Sequence, residues 1–191
     1  MLGYRQINRG IGAWQLNITV YLGANGGSDP LLASAARELG SWIGSAGNTL
    51  VYGGSKTGLM GELATSALDA GADVIGVEPQ FFLEAGAQLP GLTQLIATDT
   101  MAERKQKMIE LGDAFIAFPG GTGTLEEIAE IMSLVSLGRL SAPCILYNLG
   151  GYYDHLRALL DHMVSTGLST PERQQGIHFA GGLSEIVGLL G

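Results

Sequence analysis

The stretch AFIAFPGGTGTLEEIAEIMSLV, residues 114–135, changes character twice within a short length. It opens with an apolar segment that is typical of a buried β-strand, and a glycine-rich turn follows at Pro119–Gly123. Beyond the turn, apolar residues recur at helical spacing and predict one buried face, formed by Leu125, Ile128, Ala129, Met132 and Val135. The stretch therefore predicts a strand, a tight turn and an amphipathic helix.

Working outward from this stretch, strand-like runs alternate with helix-like segments along the chain. Strands are predicted at residues 18–22, 50–52, 74–77, 95–96, 114–118, 144–147 and 177–179. Helices are predicted at residues 30–43, 59–68, 100–111, 125–137, 152–164 and 183–190. Near-continuous hydrophobicity in the strands indicates a parallel sheet that is covered on both faces. We therefore predict an α/β fold, a Rossmann-like doubly wound parallel sheet with helices on both faces.

Length and composition restrict the class of protein. The chain has 191 residues, of which 46% are hydrophobic, and a formal net charge of -8. This apolar content suffices for one sizeable core, and an acidic surface does not attract nucleic acid or anionic lipid. No apolar run approaches the ~20 residues that span a bilayer. Because no secretory signal is present either, we expect a cytoplasmic protein without a nucleic-acid or membrane partner.

The first residues differ from the remainder of the chain. Residues 1–14 are predicted to be a polar extension, and residues 15–191 to be a single Rossmann-like domain. The single cysteine, Cys144, excludes an internal disulfide, and the three histidines lack the spacing of metal ligands. We therefore expect neither a metal nor a cofactor.

Three junctions between a predicted strand and the helix after it are rich in glycine. They lie at Gly23–Gly27, Gly53–Gly58 and Pro119–Thr124. Glycines there let a phosphate approach the main chain, and a helix N-terminus offers free N–H donors. Glycines also serve tight turns, so one such loop alone would leave both interpretations open. Three loops at one edge of a sheet favour a nucleotide or sugar phosphate as the ligand.

The second and third junctions supply the candidate phosphate-binding residues. These are Gly53, Gly54, Gly120, Gly121, Thr122, Gly123 and Thr124. The two threonines add hydroxyl donors, and Lys56 could add a positive charge. None of the loops matches a P-loop, and no G-x-G-x-x-G has an acidic partner at the expected distance. The pattern therefore gives little support to a magnesium-dependent NTPase or an ordinary NAD enzyme.

Two groups of charged residues flank the third junction. Glu126 and Glu127 fall in the predicted first turn of the following helix, where they would complement its dipole or form a capping box with Thr124. A carboxylate this close to a phosphate-binding loop would also reach the sugar of the same ligand. On the preceding helix, Arg104 and Lys105 lie in a charge run whose spacing alone favours a solvated surface.

Two motifs resemble those of the LOG (lonely guy) family. Residues 119–127, PGGTGTLEE, match its P-G-G-x-G-T-x-x-E motif, and residues 101–108, MAERKQKM, match its M-x-x-R-K-x-x-M segment. The resemblance covers roughly residues 18–167 in order, and two motifs at this spacing are specific. The chain departs from the family at Ser55 and Lys56, where a third glycine and a small residue are usual.

The resemblance implies a phosphoribohydrolase. Such enzymes split the N-glycosidic bond of nucleoside 5′-monophosphates, in particular N6-modified adenosine monophosphates, and some members accept AMP. The resemblance implies that Arg104 and Glu127 are catalytic. Its phosphate loop falls on Gly120, Gly121, Gly123 and Thr124. Met101 and Lys105, in the same segment as Arg104, are further residues that we expect to contact the substrate.

The chemistry of this reaction suits the two proposed catalytic residues. Cleavage of the C1′–N9 bond passes through an oxocarbenium-like state, which a carboxylate stabilises while it activates water. Glu127 is the candidate for this role, and Arg104 supplies fixed positive charge at the phosphate or near the purine. Two alternatives stay open. One is a non-catalytic nucleotide-binding or carrier module, and the other is a nucleotide-sugar or dinucleotide enzyme on the same fold.

The helix at residues 125–137 carries more apolar surface than one sheet would cover. Ile131, Leu134 and Leu137 widen its apolar stripe beyond the predicted buried face. Either the helix at residues 152–164 or a second chain would cover this surplus, and the pattern alone favours neither. LOG-like proteins are homodimers, so the resemblance implies a homodimer with this helix in a two-fold interface.

Overall fold

A computed structural model describes residues 15–191, and the predicted extension at residues 1–14 lies outside the described residues. The strands are β1 (Asn17–Tyr21), β2 (Thr49–Tyr52), β3 (Val74–Pro79), β4 (Gln94–Thr98), β5 (Ala114–Ala117), β6 (Cys144–Tyr147) and β7 (Ile177–Ala180). They form one sheet in the order β4-β3-β2-β1-β5-β6-β7, and every pairing is parallel. The predicted doubly wound parallel sheet is confirmed.

The described residues also contain eight α-helices. They are α1 (Pro30–Ser45), α2 (Gly58–Asp69), α3 (Gln80–Glu84), α4 (Met101–Leu111), α5 (Thr122–Ser136), α6 (Asp154–Ser165), α7 (Pro171–Gln174) and α8 (Leu183–Leu190). The sequence did not reveal α3 and α7, which have five and four residues and are too short for a periodic pattern. Within residues 15–191, none of the helices combines the length and apolar character that a bilayer crossing requires.

The helices cover the sheet from both sides. Helices α1, α2 and α8 pack on one face, and α4, α5 and α6 pack on the other. The side chains of β1 show this division, since Ile18 and Val20 join the first apolar cluster and Tyr21 joins the second. Helices α1 and α2 pack closely because Gly40 has no side chain. A Cβ there would overlap the backbone carbonyl of Leu63.

The strand order creates a crevice at the carboxyl ends of β1 and β5. From β1 the chain runs outward through β2, β3 and β4, and it then returns to β5 on the opposite side of β1. The loops after β1 and β5 therefore diverge, which is where doubly wound sheets bind ligands. The amide of Phe118 donates to the carbonyl of Tyr21 at 2.9 Å. The fold thus brings the first and third glycine junctions side by side, with the second on the neighbouring strand.

The helix N-termini at this edge differ in how they are capped. In α1, the Asp29 carboxylate accepts from the amide of Leu31 at 2.9 Å. In α4, the Thr100 hydroxyl accepts from the amide of Glu103 at 3.1 Å. Helix α5 is capped by Gly121, whose missing side chain provides no such bond. The first N–H groups of α5 therefore remain available to a ligand.

Helix α5 corrects three expectations. It begins at Thr122, so Glu127 lies in the second turn, and neither the expected first-turn position nor the capping box with Thr124 is present. Leu125 and Ala129, predicted on the buried face, are exposed, whereas Ile131 is fully buried. The helix is rotated because the side chains of Glu127 and Thr124 point inward and require a place in the interior.

Candidate active site

The N-terminus of α5 forms an open cradle at the crevice. Gly121 and Gly123 are exposed, and a Cβ on either would meet no other atom within 4 Å. Thr122 is exposed between them, whereas the side chain of Thr124 is buried behind Gly120. Unpaired N–H groups at the positive end of a helix bind anions, and the missing side chains leave room for one.

Two tyrosines from the segment after β6 hold this loop. They follow a 3₁₀ turn at Leu149–Gly151. The hydroxyl of Tyr153 donates to the carbonyl of Phe118 at 2.8 Å, and the hydroxyl of Tyr152 donates to the carbonyl of Gly120. These bonds use the carbonyl groups of the loop, so its N–H groups are the ones left for a ligand.

A buried ion pair lies directly behind the cradle. Arg104 on α4 and Glu127 on α5 are 6% and 7% exposed, and the guanidinium Nη1 donates to the carboxylate Oε1. The spacing of the charge run on α4 favoured a solvated arginine, and the structure contradicts that interpretation. A buried charge is retained only when an opposite charge and hydrogen bonds compensate the loss of water. Glu127 supplies that compensation here.

Strand β3 and the residue just after strand β2 also hold the side chain of Arg104 in position. Its Nε donates to the carbonyl of Val77 at 3.0 Å, at the carboxyl end of β3. A Cβ on Gly53, just after β2, would overlap Nη2 of the same guanidinium. Four elements that are distant in sequence therefore fix the position of one side chain.

Burial changes the acid–base properties of this pair. It raises the pKa of Glu127, and the positive charge of Arg104 acts against that rise. A carboxylate with a raised pKa accepts a proton more readily near neutral pH. Tyr21 lies close enough to feel this carboxylate, because burial first and the charge of Glu127 second raise the pKa of its hydroxyl. Tyr21 therefore remains a neutral hydroxyl beside the ion pair.

Sequence reasoning missed Glu78 and Tyr52, which also lie at this edge. Glu78 is 2% exposed, and neither its Oε2 nor the Tyr52 hydroxyl has a hydrogen-bond partner among the described residues. Burial raises the pKa of Glu78, and Arg104 acts against it. A signal was available in the sequence, since Glu78 is the charged residue of an otherwise apolar strand, β3.

The predicted phosphate-binding glycines of the second junction lie against side chains of the protein. Gly53 and Gly54 are buried, the first beneath Arg104 and the second against Glu78. Gly54 has a φ of +87°, which favours glycine, and a Cβ there would lie 3.1 Å from Oε2 of Glu78. Lys56 is exposed, and its ammonium donates to the carbonyl of Gly86 at 2.8 Å. The room that Gly53 and Gly54 leave is therefore occupied by Arg104 and Glu78, whereas Gly121 and Gly123 of the cradle face free space.

The remaining predicted residues lie at the margin of the site. The ammonium of Lys105 is paired with Glu126 at 2.7 Å and with Glu130 at 3.2 Å. The hydrogen bond to Glu126 is the main cause of its raised pKa. Met101 is 42% exposed at the start of α4. Lys105 therefore links α4 to α5 through its ion pairs. Of Met101 and Lys105, Met101 has the larger exposed surface.

The described residues give no sign of a metal centre or a reactive thiol. Among residues 15–191, no group of three or more His, Cys, Asp or Glu side chains is placed to hold a metal ion. Cys144 is buried in β6, and burial raises the pKa of its thiol to about 12. A thiol with such a pKa is not a nucleophile at neutral pH.

Comparison with known proteins agrees with the motifs at this site. A family model described as "possible lysine decarboxylase" matches residues 60–190. A cytokinin riboside 5′-monophosphate phosphoribohydrolase of Rhodococcoides fascians is 42% identical over 156 residues, which cover 81% of this chain and 79% of that protein. A protein of the same name from Arabidopsis thaliana is 36% identical over 170 residues, which cover 89% and 80% of the two chains.

Solved structures support the fold. The molybdenum cofactor carrier protein of Chlamydomonas reinhardtii has a TM-score of 0.67 and 21% identity, with 93% of this chain and 99% of that chain covered. At this identity the likeness concerns the fold alone. Because the family model covers more than half of the chain and both named relatives extend over most of it, the protein belongs to the LOG (lonely guy) family, which its two motifs resemble.

Proposed function

We propose that this protein hydrolyses the N-glycosidic bond of adenosine 5′-monophosphates, including N6-modified ones, to free base and ribose 5-phosphate. The observation that carries the proposal is the buried Arg104–Glu127 pair directly behind an open helix N-terminus. An anion cradle and a carboxylate that accepts protons are the two features that this reaction requires. The relatives named as cytokinin riboside 5′-monophosphate phosphoribohydrolases support the same substrate class.

Each residue has a defined part in the proposed reaction. The N–H groups at Gly121–Thr124 bind the 5′-phosphate, which places the ribose over the first two turns of α5. Glu127 stabilises the positive charge that develops at C1′ and accepts the proton of the attacking water. The water oxygen becomes the new C1′ hydroxyl, and the departing purine takes a proton from solvent. Arg104 holds Glu127 in place and supplies positive charge at the phosphate or near the purine.

The lysines of the chain argue against the decarboxylase named in the family description. A lysine that forms a Schiff base with a cofactor must lose its proton, which requires a lowered pKa. Lys105 has a raised pKa because of its bond to Glu126. Lys56 and Lys107 are bound to the Gly86 carbonyl and to Glu110. These are all the lysines of the sequence.

A direct assay tests the proposal. Purified protein is incubated with AMP, with isopentenyladenosine monophosphate and with adenosine, and free base is measured by chromatography. We expect base release from the monophosphates and much less from adenosine. Glu126→Gln is the matched control for Glu127→Gln, because the neighbouring Glu126 is 64% exposed. Binding of monophosphates without base release would instead indicate a non-catalytic nucleotide-binding or carrier module.

We further propose that the protein is a cytoplasmic homodimer in which α5 contacts its symmetry mate. Leu125 and Ala129 are exposed on this helix, and Leu137, the residue just beyond its end, is exposed too, with Leu125 and Leu137 at 46% and 62% exposure. Leu134 packs against the core, so it is not part of this surface. Leu137→Glu should convert a dimer to a monomer in light scattering after size exclusion. A wild-type mass of one chain with full activity would contradict the proposal.

A further inference from the structure

Glu78 is a buried carboxyl group that the proposed reaction does not use. It is 2% exposed, and its Oε2 has no hydrogen-bond partner among the described residues. The backbone makes room for it, since Gly54 has a φ of +87° and a Cβ there would lie 3.1 Å from that oxygen. A buried carboxyl group without a hydrogen-bond partner destabilises a protein. Its presence therefore suggests that Glu78 has a function that compensates this loss of stability.

Arg104 is bonded to Glu127, and it also lies near enough to Glu78 for its charge to act on that carboxyl group. Its Nη1 is bonded to Glu127, and its Nε is bonded to the carbonyl of Val77, the residue just before Glu78. Its third nitrogen, Nη2, lies over Gly53, the residue just before the glycine that touches Glu78. The charge of Arg104 reaches Glu78 in this arrangement. The guanidinium of Arg104 therefore has one bonded carboxylate, that of Glu127, and a second carboxyl group nearby, that of Glu78.

The charges of the three groups balance in only two ways. With Glu127 ionised and bonded to Arg104, a second negative charge in the same buried place is unfavourable, which favours the protonated form of Glu78. If Glu127 becomes neutral, Arg104 is left as an uncompensated buried cation, which is strongly unfavourable. Ionisation of Glu78 restores neutrality. Among the described residues, Tyr52 on β2 also lies near Glu78, and burial raises the pKa of its hydroxyl, so it stays neutral.

We propose that Glu78 is a positioning residue that serves as the second counter-ion of Arg104 and holds the guanidinium while Glu127 acts on the substrate. The inference rests on the proposed function for its role in the reaction. When Glu127 accepts the proton of the attacking water, Glu78 releases its own proton to solvent, which balances the proton that the departing purine takes up. Arg104 then stays paired and in place throughout the step. After the products leave, Glu127 loses its proton and Glu78 regains one.

A double-mutant cycle tests the pairing without any substrate. Urea unfolding at pH 7 is measured for wild type, Glu78→Gln, Glu127→Gln and the double variant. In the wild-type background, Glu78→Gln should change the unfolding equilibrium constant by less than about threefold, because a neutral carboxyl is replaced by a neutral amide. In the Glu127→Gln background, the same change should favour unfolding by at least about tenfold, because it removes the remaining counter-ion. Additive effects would overturn the proposal.

A titration covers the case in which the double variant does not fold. The ¹³C carboxyl signal of Glu78 is assigned by its loss in Glu78→Gln and followed against pH in wild type and in Glu127→Gln. We expect its titration midpoint to fall by at least about one pH unit in Glu127→Gln. Glu172, an exposed glutamate on α7 whose pKa is lowered by hydrogen bonds to its own backbone and to Thr170, should titrate identically in both proteins. An unchanged midpoint for Glu78 would overturn the proposal.

Kinetics then connect the pairing to the reaction. Glu78→Gln should lower kcat by about tenfold at unchanged KM and alter the pH profile of kcat. Glu78→Asp should recover part of the loss, and Glu84→Gln should behave as wild type. A normal kcat and pH profile in Glu78→Gln would contradict the role in catalysis. If wild type releases no base, the proposed function fails, whereas the unfolding cycle and the titration still decide whether Glu78 is the second counter-ion.

Discussion

The second and third glycine junctions look alike in sequence, but the structure uses them in opposite ways. After β2, the missing side chains of Gly53 and Gly54 leave room for Arg104 and Glu78. After β5, Gly121 and Gly123 face open space. A glycine creates room in both places, and the surrounding fold determines whether a side chain of the protein or a ligand occupies it. We call the second junction, after β2, the closed junction and the third, after β5, the open junction.

The Arg104–Glu127 pair joins the two junctions, so its loss should have the largest effect. Glu127→Gln should reduce base release by at least about a hundredfold, because the proton acceptor is gone. It should also lower the free energy of unfolding, by up to about 3–5 kcal/mol, because Arg104 loses its bonded partner. Base release and urea unfolding measure the two effects. Near-normal turnover would contradict the role of Glu127, and Glu126→Gln should leave turnover unchanged.

At the closed junction, Gly53→Ala should destabilise the protein and lower activity together. Its Cβ would overlap the guanidinium of Arg104, and such overpacking costs about 1–3 kcal/mol. Thermal unfolding and base release would be measured on the same preparation. Gly188→Ala in α8 is the control, because a Cβ there meets no atom within 4 Å. A stable Gly53→Ala variant with full activity would mean that Arg104 does not need the space that Gly53 leaves.

At the open junction, Gly123→Ala should impair substrate binding without harming the fold. The new methyl group meets no protein atom, and alanine favours a helix over glycine by about 0.5–1 kcal/mol. The same methyl group would obstruct the 5′-phosphate, so KM for AMP should rise by about tenfold. Adenosine provides the control, since it has no phosphate to obstruct. An equal rise in KM for adenosine would show that this junction does not bind phosphate.

The smallest effect concerns pH, and it belongs to the closed junction alone. The pKa of Glu78 is raised in the folded protein, so its contribution to stability is complete below the ordinary glutamate pKa. That contribution is lost as the pH rises through the raised pKa. Wild type should therefore lose stability relative to Glu78→Gln as the pH rises above about 4.5. The loss should be at most about 1.4 kcal/mol of unfolding free energy per pH unit. Urea titrations between pH 4 and 8 would measure it, and a constant difference would contradict it.

Helix and strand positions were predicted well where the pattern was long or punctuated. Asp29 and Pro30 mark the start of α1, and Gly71, with a φ of +89°, lies just beyond α2. The rotation of α5 was predicted wrongly, because its periodicity allowed two adjacent faces to be the buried one. Its apolar residues extend over more than one face of the helix, and the inward side chain of Glu127 was the information that the pattern lacked.

The catalytic candidates show a different limit. Charge spacing on α4 favoured a solvated Arg104, and only the family resemblance gave it a role. Its burial depends on Val77 and Glu127, which are 27 and 23 residues away in sequence. Glu78 was missed for the same reason, since a single carboxyl in an apolar strand has no neighbour in sequence that explains it. Contacts between elements that are distant in sequence therefore explain the positions of both Arg104 and Glu78.

The sequence by itself determined the alternation of strands and helices, the parallel sheet and the glycine loops at its carboxyl edge. These follow from local chemistry, namely side-chain periodicity and the conformational freedom of glycine. Tertiary structure alone decided that one glycine junction is closed by Arg104 and Glu78 and that the other is open. The physical reason is that burial and charge pairing arise only when distant elements meet, so a single buried guanidinium selects its partners from three other parts of the chain.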